Sequence, residues 1–209
     1  MLTSNQTSKA NVKSATGVQT EQELQKLIKL CQQGDKQSFR VLYQHYQQRV
    51  RSTLCQLCGT SALDDLVQEV FLKAWKGLPQ LKTTKYFSTW LYRISWNVAI
   101  DQRRKLSQGV DKTSLNENWE QEPSSYSKDL ESLQDTPDIM HLHYQDLVRR
   151  GLDNLSFEHR AVLVLHDLED LPQKQVADIL DIPVGTVKSR LFHARNLFKK
   201  FLEQQGISF

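Results

Sequence analysis

The sequence predicts an all-α fold of two small helical domains joined by a flexible acidic linker. Apolar residues recur at helical spacing through most of the chain, and no stretch shows the alternation that is typical of a strand. A segment rich in acids, serine and proline separates two blocks rich in lysine and arginine. With 209 residues, the chain has room for two modest hydrophobic cores. We predict a disordered tail at residues 1–20, helical domains at 21–106 and 139–209, and a linker at 107–138.

The N-terminal tail is polar and lacks the apolar centre of a signal peptide. Beyond it, Leu24, Leu27 and Ile28 predict a first helix that Gly34 ends. Asp35 has the side chain to cap a second helix. The apolar stripe of that helix consists of Phe39, Leu42, Tyr43, Tyr46, Val50, Leu54 and Leu57.

A third helix is predicted in the stretch ALDDLVQEVFLKAW, with Ser61 as its candidate cap. Asp64 and Asp65 fall in its first turn, where the helix dipole favours anions. Gly77 and Pro79 end it. Its buried stripe consists of Leu63, Leu66, Val67, Val70, Phe71 and Ala74. The opposite side, which the residues alone describe best as a solvated face, consists of Asp65, Gln68, Glu69 and Lys73.

Aromatic and cationic side chains are interleaved between residues 82 and 105. This stretch holds six lysines and arginines against one acid, Asp101, so its local charge is +5. Tyr92, Trp96 and Asn97 lie off the helix face that is expected in the core. Because bases stack on aromatic rings while phosphates meet cations, this composition favours single-stranded nucleic acid. The face expected in the core consists of Trp90, Leu91, Ile94 and Val98.

The segment at 111–138 holds eight acids against two lysines, a net charge of −6. It contains Pro123 and Pro137 and shows little apolar periodicity, which is typical of a flexible linker.

The second domain is predicted to begin with a helix at 139–153 and a helix at 157–166 that Ser156 caps. Residues 171–202 then form a short helix, a break and a longer helix, which is the outline of a helix-turn-helix. Pro183 suits the first position of the longer helix. Its buried face consists of Val187, Leu191, Ala194 and Phe198.

The opposite face of the longer helix is not needed for packing and consists of Gly185, Lys188, Ser189, Phe192, His193 and Asn196. Residues 188–200 carry five cations and no acid, which attracts the helix to phosphates. The pattern favours a helix that reads the DNA major groove. An amphipathic hairpin with a solvated basic face is the alternative that the residues alone leave open.

Two separate motifs carry a resemblance to a known family. DIPVGTVKSRLFHAR resembles the C-terminal promoter-reading domain of the bacterial sigma-70 family. DDLVQEVFLKAW, followed by FSTWLYRISWNVAIDQRRK, is similar to the core-binding and promoter-melting segment of extracytoplasmic-function (ECF) sigma factors. Both stand in the family's order, so the chain is identified as a member of the ECF class, group 4.

The resemblance implies promoter DNA and core RNA polymerase as partners, the latter through the clamp helices of its largest subunit and the flap of its second-largest subunit. It implies polymerase contacts from Asp65, Gln68 and Glu69. It implies contacts to the −10 element from Leu81, Tyr92, Trp96, Asn97, Arg103 and Arg104. It implies contacts to the −35 element from Lys188, Ser189, Phe192 and His193, with Arg190 and Arg195 holding phosphates or neighbouring acids.

The chain departs from the family's pattern at three of these positions. Leu81 stands where members often carry an aromatic residue, which puts the identity of the captured −10 base in doubt. Lys188 and His193 stand where members often carry arginine, which can grip guanine with two hydrogen bonds. We therefore expect an altered −35 preference. Members are often held by an anti-sigma factor, and nothing in the sequence identifies one.

The sequence contains no recognisable nucleophile motif, phosphate loop or metal-ligand set, so we predict no enzymatic activity, cofactor or metal. Cys55 and Cys58 form a CxxC without a second pair, which favours packing over metal or redox use. No apolar run is long enough for a membrane span, and we expect a cytoplasmic protein. Two alternatives remain: a stand-alone helix-turn-helix regulator, which would bind DNA without polymerase, and a DNA-processing enzyme.

Overall fold

The computed structural model describes residues 20–109 and 137–207, and in that part of the chain it contains eight α-helices and no strand. The predicted tail up to residue 19 and the linker residues 110–136 lie outside the described residues. The prediction of an all-α protein with two helical domains is confirmed. The helices are α1 (Glu21–Gln32), α2 (Lys36–Cys58), α3 (Leu63–Gly77), α4 (Phe87–Gly109), α5 (Pro137–Asp153), α6 (Phe157–Leu163), α7 (Gln173–Leu180) and α8 (Val184–Gln204).

Helices α1 to α4 pack around one hydrophobic core in the N-terminal domain. Thr20 and Glu23 cap α1 reciprocally, and the Asp35 carboxylate accepts hydrogen bonds from the backbone N–H groups of Gln37 and Ser38. The predicted Asp35 cap is therefore confirmed. The largest fully buried side chains of this domain are Ile28, Leu42, Leu54, Leu78, Phe87 and Leu91.

The predicted Ser61 cap is wrong, because α3 begins after Ala62 and no side chain caps it. Gly59 ends α2 with φ 75°, and Ala62 adopts a left-handed φ of 56°. These two backbone turns reverse the chain, and the Ala62 carbonyl already accepts from Leu66 N at 3.0 Å. Arg51 of α2 pairs with Asp64 in the first turn of α3, which ties the two helices together.

Helices α5 to α8 form the C-terminal domain, with α8 contacting the other three. Ser156 caps α6, as the sequence predicts. The predicted helix at 157–166 is interrupted, since α6 passes at Val164 into a π-helical turn that ends at Leu168. Pro183 is the cap of α8 rather than its first helical residue, and the preceding Asp181 reverses the chain with φ 56°. The buried side of α8 consists of Val187, Leu191 and Ala194.

The two domains pack against each other. Helix α4 contacts α7, and α2 contacts both α6 and the π-helical turn. In the part of the chain that the structure describes, no helix combines the length and the apolarity that a membrane span requires.

Close packing at Gly151 gives a test of the C-terminal domain. A Cβ at this buried α5 position would lie 2.5 Å from Cε2 of Phe198, which joins α5 to α8. We expect Gly151→Ala to lower the free energy of unfolding by about 1–3 kcal/mol, because this overlap outweighs the gain in helix propensity. Urea denaturation followed by circular dichroism measures the change.

The matched control is Gly185→Ala in α8, where a Cβ meets nothing within 4 Å. This variant should equal or exceed the wild type in stability. A Gly151→Ala protein as stable as the wild type would contradict the packing of α5 on α8.

Candidate nucleic-acid interface

One exposed face of α8 carries the side chains that the sequence analysis assigns to base reading. Lys188, Ser189, Phe192 and His193 are all exposed, whereas Val187 and Leu191 hold the opposite face in the core. The Phe192 side chain is 63% exposed. An aromatic ring presented to solvent between a cation and an imidazole is available to contact an apolar base edge such as the thymine methyl group.

His193 lies in an electropositive neighbourhood. Its ring centroid is 5.5 Å from that of Phe192 and 6.3 Å from that of His159 on α6. Burial lowers the pKa of His159, and the nearby His193 and Arg190 lower it further. The neutral form of His159 is therefore favoured.

Arg195 is held by an acid of its own domain. Its Nε and its Nη2 donate to the two oxygens of Asp167, at 2.9 Å and 2.6 Å. Asp167 belongs to the π-helical turn, so this bidentate pair anchors the turn to α8. Of the two roles that the sequence analysis left open for Arg195, the structure contains the contact with a neighbouring acid.

A stripe along α4, consisting of Tyr92, Trp96 and Arg103, faces the C-terminal domain. The Tyr92 hydroxyl donates to Oε2 of Glu169 at 2.6 Å. The Trp96 ring stacks on Phe157 with a centroid distance of 4.9 Å. Spacings of four and seven residues place the three side chains on one side of the helix. We call these three residues the α4 stripe.

The expectation that Tyr92 lies outside the core is wrong, because its side chain is only 5% exposed. Burial raises the pKa of Tyr92 strongly, and the hydrogen bond to Glu169 raises it further, so the phenol stays protonated at neutral pH. Periodicity within α4 could not reveal this, since the covering residue comes from a different domain.

Arg103 completes the stripe at the end nearest α6. Its guanidinium lies over the Phe157 ring, with Cζ 4.7 Å from the ring centroid. Its Nη1 is also 3.9 Å from Oε1 of Glu158. On an adjacent side of α4, Arg93 lies 3.6 Å from Asp181. Two cations of α4, Arg93 and Arg103, are thus next to carboxylates of the C-terminal domain.

Asn97 lines a separate cleft of about 470 Å³ between α3 and α4. Lys73 closes one side, with Nζ 2.8 Å from Glu69 and 3.6 Å from Asp101. The other lining residues are Ile94, Ile100 and Arg104.

The structure does not bring Leu81, Tyr92 and Asn97 into one pocket. Tyr92 and Asn97 are five residues apart, which is about 140° around the helix. Leu81 is in the connection before α4, where its carbonyl accepts from Nε2 of Gln32 at 2.8 Å. Of the three residues, only Asn97 lines the cleft.

The polar side of α3 borders an apolar groove. Asp65 and Gln68 are exposed, whereas Glu69 is half-buried and paired with Lys73. Gln68 lines a groove of about 690 Å³ between α2 and α3, where Leu72 is also exposed. A mixed surface of this kind suits a protein partner better than a nucleic acid. The aromatic residues of the groove are Phe39, Tyr43, Phe71 and Trp75.

The CxxC cysteines are free thiols in the structure. Burial raises the pKa of Cys58 to about 11, so its reactive thiolate is scarce at neutral pH. No group of His, Cys, Asp or Glu side chains in residues 20–109 and 137–207 is arranged to hold a metal ion.

The sequence analysis missed three residues that face the α4 stripe, namely Phe157, Glu158 and Glu169. Phe157 and Glu158 appeared there only as the start of a helix, and Glu169 as part of a connection. No local pattern marks them, because their role depends on how the two domains pack. The one feature of the sequence that could have pointed to these contacts is the group of acids Asp167, Glu169 and Asp170.

Comparisons with known proteins identify the family of both halves of the chain. Residues 42–108 match the family model of Sigma-70 region 2, and residues 145–197 match that of Sigma-70 region 4. The chain is 31% identical over 186 residues to the ECF RNA polymerase sigma-E factor of Haemophilus influenzae, a match that covers 86% of this chain and 95% of that protein. The sigma-E factor of Escherichia coli K12 is 33% identical over 177 residues, covering 82% and 90%.

Two solved structures share the fold. CnrH in complex with the cytosolic domain of CnrY has a TM-score of 0.63 at 20% identity, covering 87% of this chain and 97% of that chain. The sigma factor RpoE of Bartonella quintana, in complex with the anti-sigma factor NepR, has a TM-score of 0.60 at 25% identity, covering 79% and 96%.

Proposed function

This chain belongs to the ECF sigma factors of the sigma-70 family, and from that premise we propose how its two domains select and open a promoter. Its function is to direct RNA polymerase to promoters and to start transcription. The observation that carries this conclusion is the presence of region 2 and region 4, in order, in one chain. Core polymerase catalyses RNA synthesis, and this chain determines which promoters it uses. Both act in the cytoplasm. A stand-alone regulator would need no polymerase-binding region.

The C-terminal domain reads the −35 element through α8. Lys188, Phe192 and His193 reach the base edges, and Ser189 contributes a hydroxyl whose proton is donated to the Thr186 carbonyl at 3.0 Å. Arg190 holds a phosphate, and Arg195 braces α8 through Asp167. The exposure of these α8 side chains and the absence of acids between residues 188 and 200 support this assignment.

The N-terminal domain opens the −10 element with α4. Trp96 and Tyr92 provide rings for unstacked bases, Arg103 and Arg104 provide cations for the strand, and Asn97 reads a base in its cleft. Base stacking on an aromatic ring contributes about 1–3 kcal/mol, which is similar to the roughly 1.4 kcal/mol lost per opened step of duplex. A few captured bases therefore suffice to hold a short melted region. Leu81, which the resemblance also assigned to the −10 element, lies in the connection before α4 and is not part of this surface.

The polar side of α3 docks on the clamp helices of the largest polymerase subunit. Asp65, Gln68 and Glu69 supply the polar contacts, and the apolar groove beside Gln68 supplies buried area. The C-terminal domain meets the flap of the second-largest subunit. An anti-sigma factor is a further partner, as in the RpoE–NepR complex.

Run-off transcription tests the function directly. Core polymerase alone and core polymerase with this chain are compared on a fragment library from the same genome. We expect new, discrete transcripts only when the chain is present, and their start sites give the promoter consensus. Specific binding of the chain to duplex DNA as a dimer, with no transcripts, would instead support a stand-alone regulator.

The −35 assignment predicts that base reading is separable from polymerase binding. We expect Lys188→Ala/His193→Ala to lose promoter selection while its affinity for core polymerase is unchanged. His193→Arg should raise the preference for guanine at one −35 position by about tenfold, because arginine forms two hydrogen bonds with that base. Electrophoretic mobility shifts with holoenzyme on promoter variants measure both effects.

The matched control for this experiment is Lys199→Ala, which removes a cation of α8 that is paired with Glu203. It should retain the wild-type base preference. Loss of core binding in the Lys188/His193 double variant would contradict the division between the domains.

The α3 assignment predicts that changes on α3 weaken polymerase binding and leave base reading unchanged. We expect Asp65→Ala/Gln68→Ala to weaken core binding by about tenfold or more, since truncation of central interface residues commonly has this effect. The base preference of whatever holoenzyme forms should not change. Fluorescence anisotropy with labelled sigma factor and unlabelled core measures the affinity.

The matched control is Glu21→Ala/Gln25→Ala on α1, an acid and an amide that bond to each other on a different helix of the same domain. It should bind core as the wild type does. Equal affinities for both double variants would refute the α3 assignment.

A further inference from the structure

The surface proposed to hold melted DNA is the surface that the C-terminal domain covers. Each member of the α4 stripe has a partner from that domain: Glu169 for Tyr92, Phe157 for Trp96, and Glu158 for Arg103. By contrast, Lys188, Phe192 and His193 on α8 remain exposed in the same structure. Packing of the two domains therefore buries Tyr92, half-buries Trp96 and contacts one side of the exposed Arg103, while the α8 face stays open.

The partner of Trp96 has the shape of a stacked base. The ring planes of Trp96 and Phe157 are 16° apart, and their centroids are 4.9 Å apart. The same Phe157 ring lies beneath the Arg103 guanidinium. A flat ring between an indole and a guanidinium reproduces the arrangement in which single-stranded bases are bound.

The remaining partners supply negative charge where a DNA strand would bring phosphates. Glu158 lies beside Arg103, and Asp181 lies beside Arg93. Glu169 makes two contacts, since its carboxylate accepts a hydrogen bond from the Tyr92 hydroxyl at 2.6 Å and lies 2.9 Å from the Thr53 hydroxyl. That hydroxyl is also 2.9 Å from the Arg49 carbonyl, so its single proton is shared between two acceptors.

We infer that the C-terminal domain is an internal competitor for the melted −10 strand: its Phe157 ring and its carboxylates occupy the α4 stripe in the free protein and must leave before DNA is captured there. This inference rests on the proposed role of α4. The closed arrangement blocks strand capture but leaves the −35 face of α8 and the exposed Asp65 and Gln68 accessible. Docking on polymerase and −35 reading are therefore compatible with the closed form, and melting is not.

The closed form is held by contacts that a partner can exchange. The Arg93–Asp181 and Arg103–Glu158 pairs are about half exposed, so each contributes little. The Tyr92–Glu169 hydrogen bond is partly buried and, at 2.6 Å, is much shorter than either of these ion pairs. Glu169→Gln keeps the size of the side chain and removes its charge, which makes it the sharpest single test.

The experiment measures binding of the free protein to a fluorescein-labelled, randomised single-stranded DNA 12-mer. We expect Glu169→Gln to bind about tenfold more tightly than the wild type, since weakening one charge-assisted hydrogen bond shifts a closed–open equilibrium by about this factor. Small-angle X-ray scattering should show a larger radius of gyration. Phe157→Leu, which keeps an apolar side chain but removes the flat ring, should act in the same direction.

The control for charge is Glu203→Gln on α8, which changes the net charge equally but alters a pair with Lys199. It should bind the single strand as the wild type does. Equal gains for Glu169→Gln and Glu203→Gln would overturn the inference, because general charge would then explain the binding. An expanded Glu169→Gln protein with unchanged DNA affinity would also overturn it.

Failure of this inference is distinguishable from failure of the proposed function. If wild-type holoenzyme initiates transcription while Glu169→Gln shows no gain in the free state, only the internal competition is refuted. If no holoenzyme initiates on any template, the proposed function is refuted.

Discussion

The carboxylate of Glu169 is the contact that joins the C-terminal domain to two helices of the N-terminal domain at once. It comes from the loop that follows the π-helical turn of the C-terminal domain and reaches Tyr92 of α4 and Thr53 of α2. The π-helical turn also carries Asp167, which fixes the turn to α8 through Arg195. One short segment thus connects α8, which we propose reads the −35 element, with α4, which we propose melts the −10 element. Because burying an unpaired carboxylate is costly, Glu169 favours the packing in which both hydroxyls are within reach.

The two faces proposed to bind DNA differ in accessibility. The α8 face projects from the domain with Phe192 and His193 in solvent, whereas the α4 stripe is covered by Phe157, Glu158 and Glu169. The covering residues resemble single-stranded DNA in chemistry, since Phe157 presents a flat ring, as a base does, and the carboxylates present negative charge, as phosphates do. Under the proposed internal competition, the melted strand is captured only after the C-terminal domain has left the α4 stripe.

Much of this protein could be predicted from local sequence signals, and the remainder could not for identifiable reasons. Helical periodicity gave the helices and the buried face of α8, and the Asp35 and Ser156 caps follow from side-chain chemistry. The start of α3 was missed because Ala62 turns by backbone conformation without a capping side chain. Tyr92 was misplaced because its side chain packs towards the other domain, where its hydrogen-bond partner Glu169 is 77 positions further along the chain. The separation of Tyr92 from Asn97 follows from helix geometry and could have been found from the sequence.

The central claim is that the α4 stripe binds either the C-terminal domain or the DNA strand, but not both at the same time. Double electron–electron resonance between spin labels at Lys29→Cys on α1 and Lys200→Cys on α8 tests it, in a chain whose native Cys31, Cys55 and Cys58 are replaced by alanine. The free protein should give one short, narrow distance distribution. The open complex with core polymerase and promoter should give a longer one. The same short distribution in an open complex whose −10 region is melted would contradict the account.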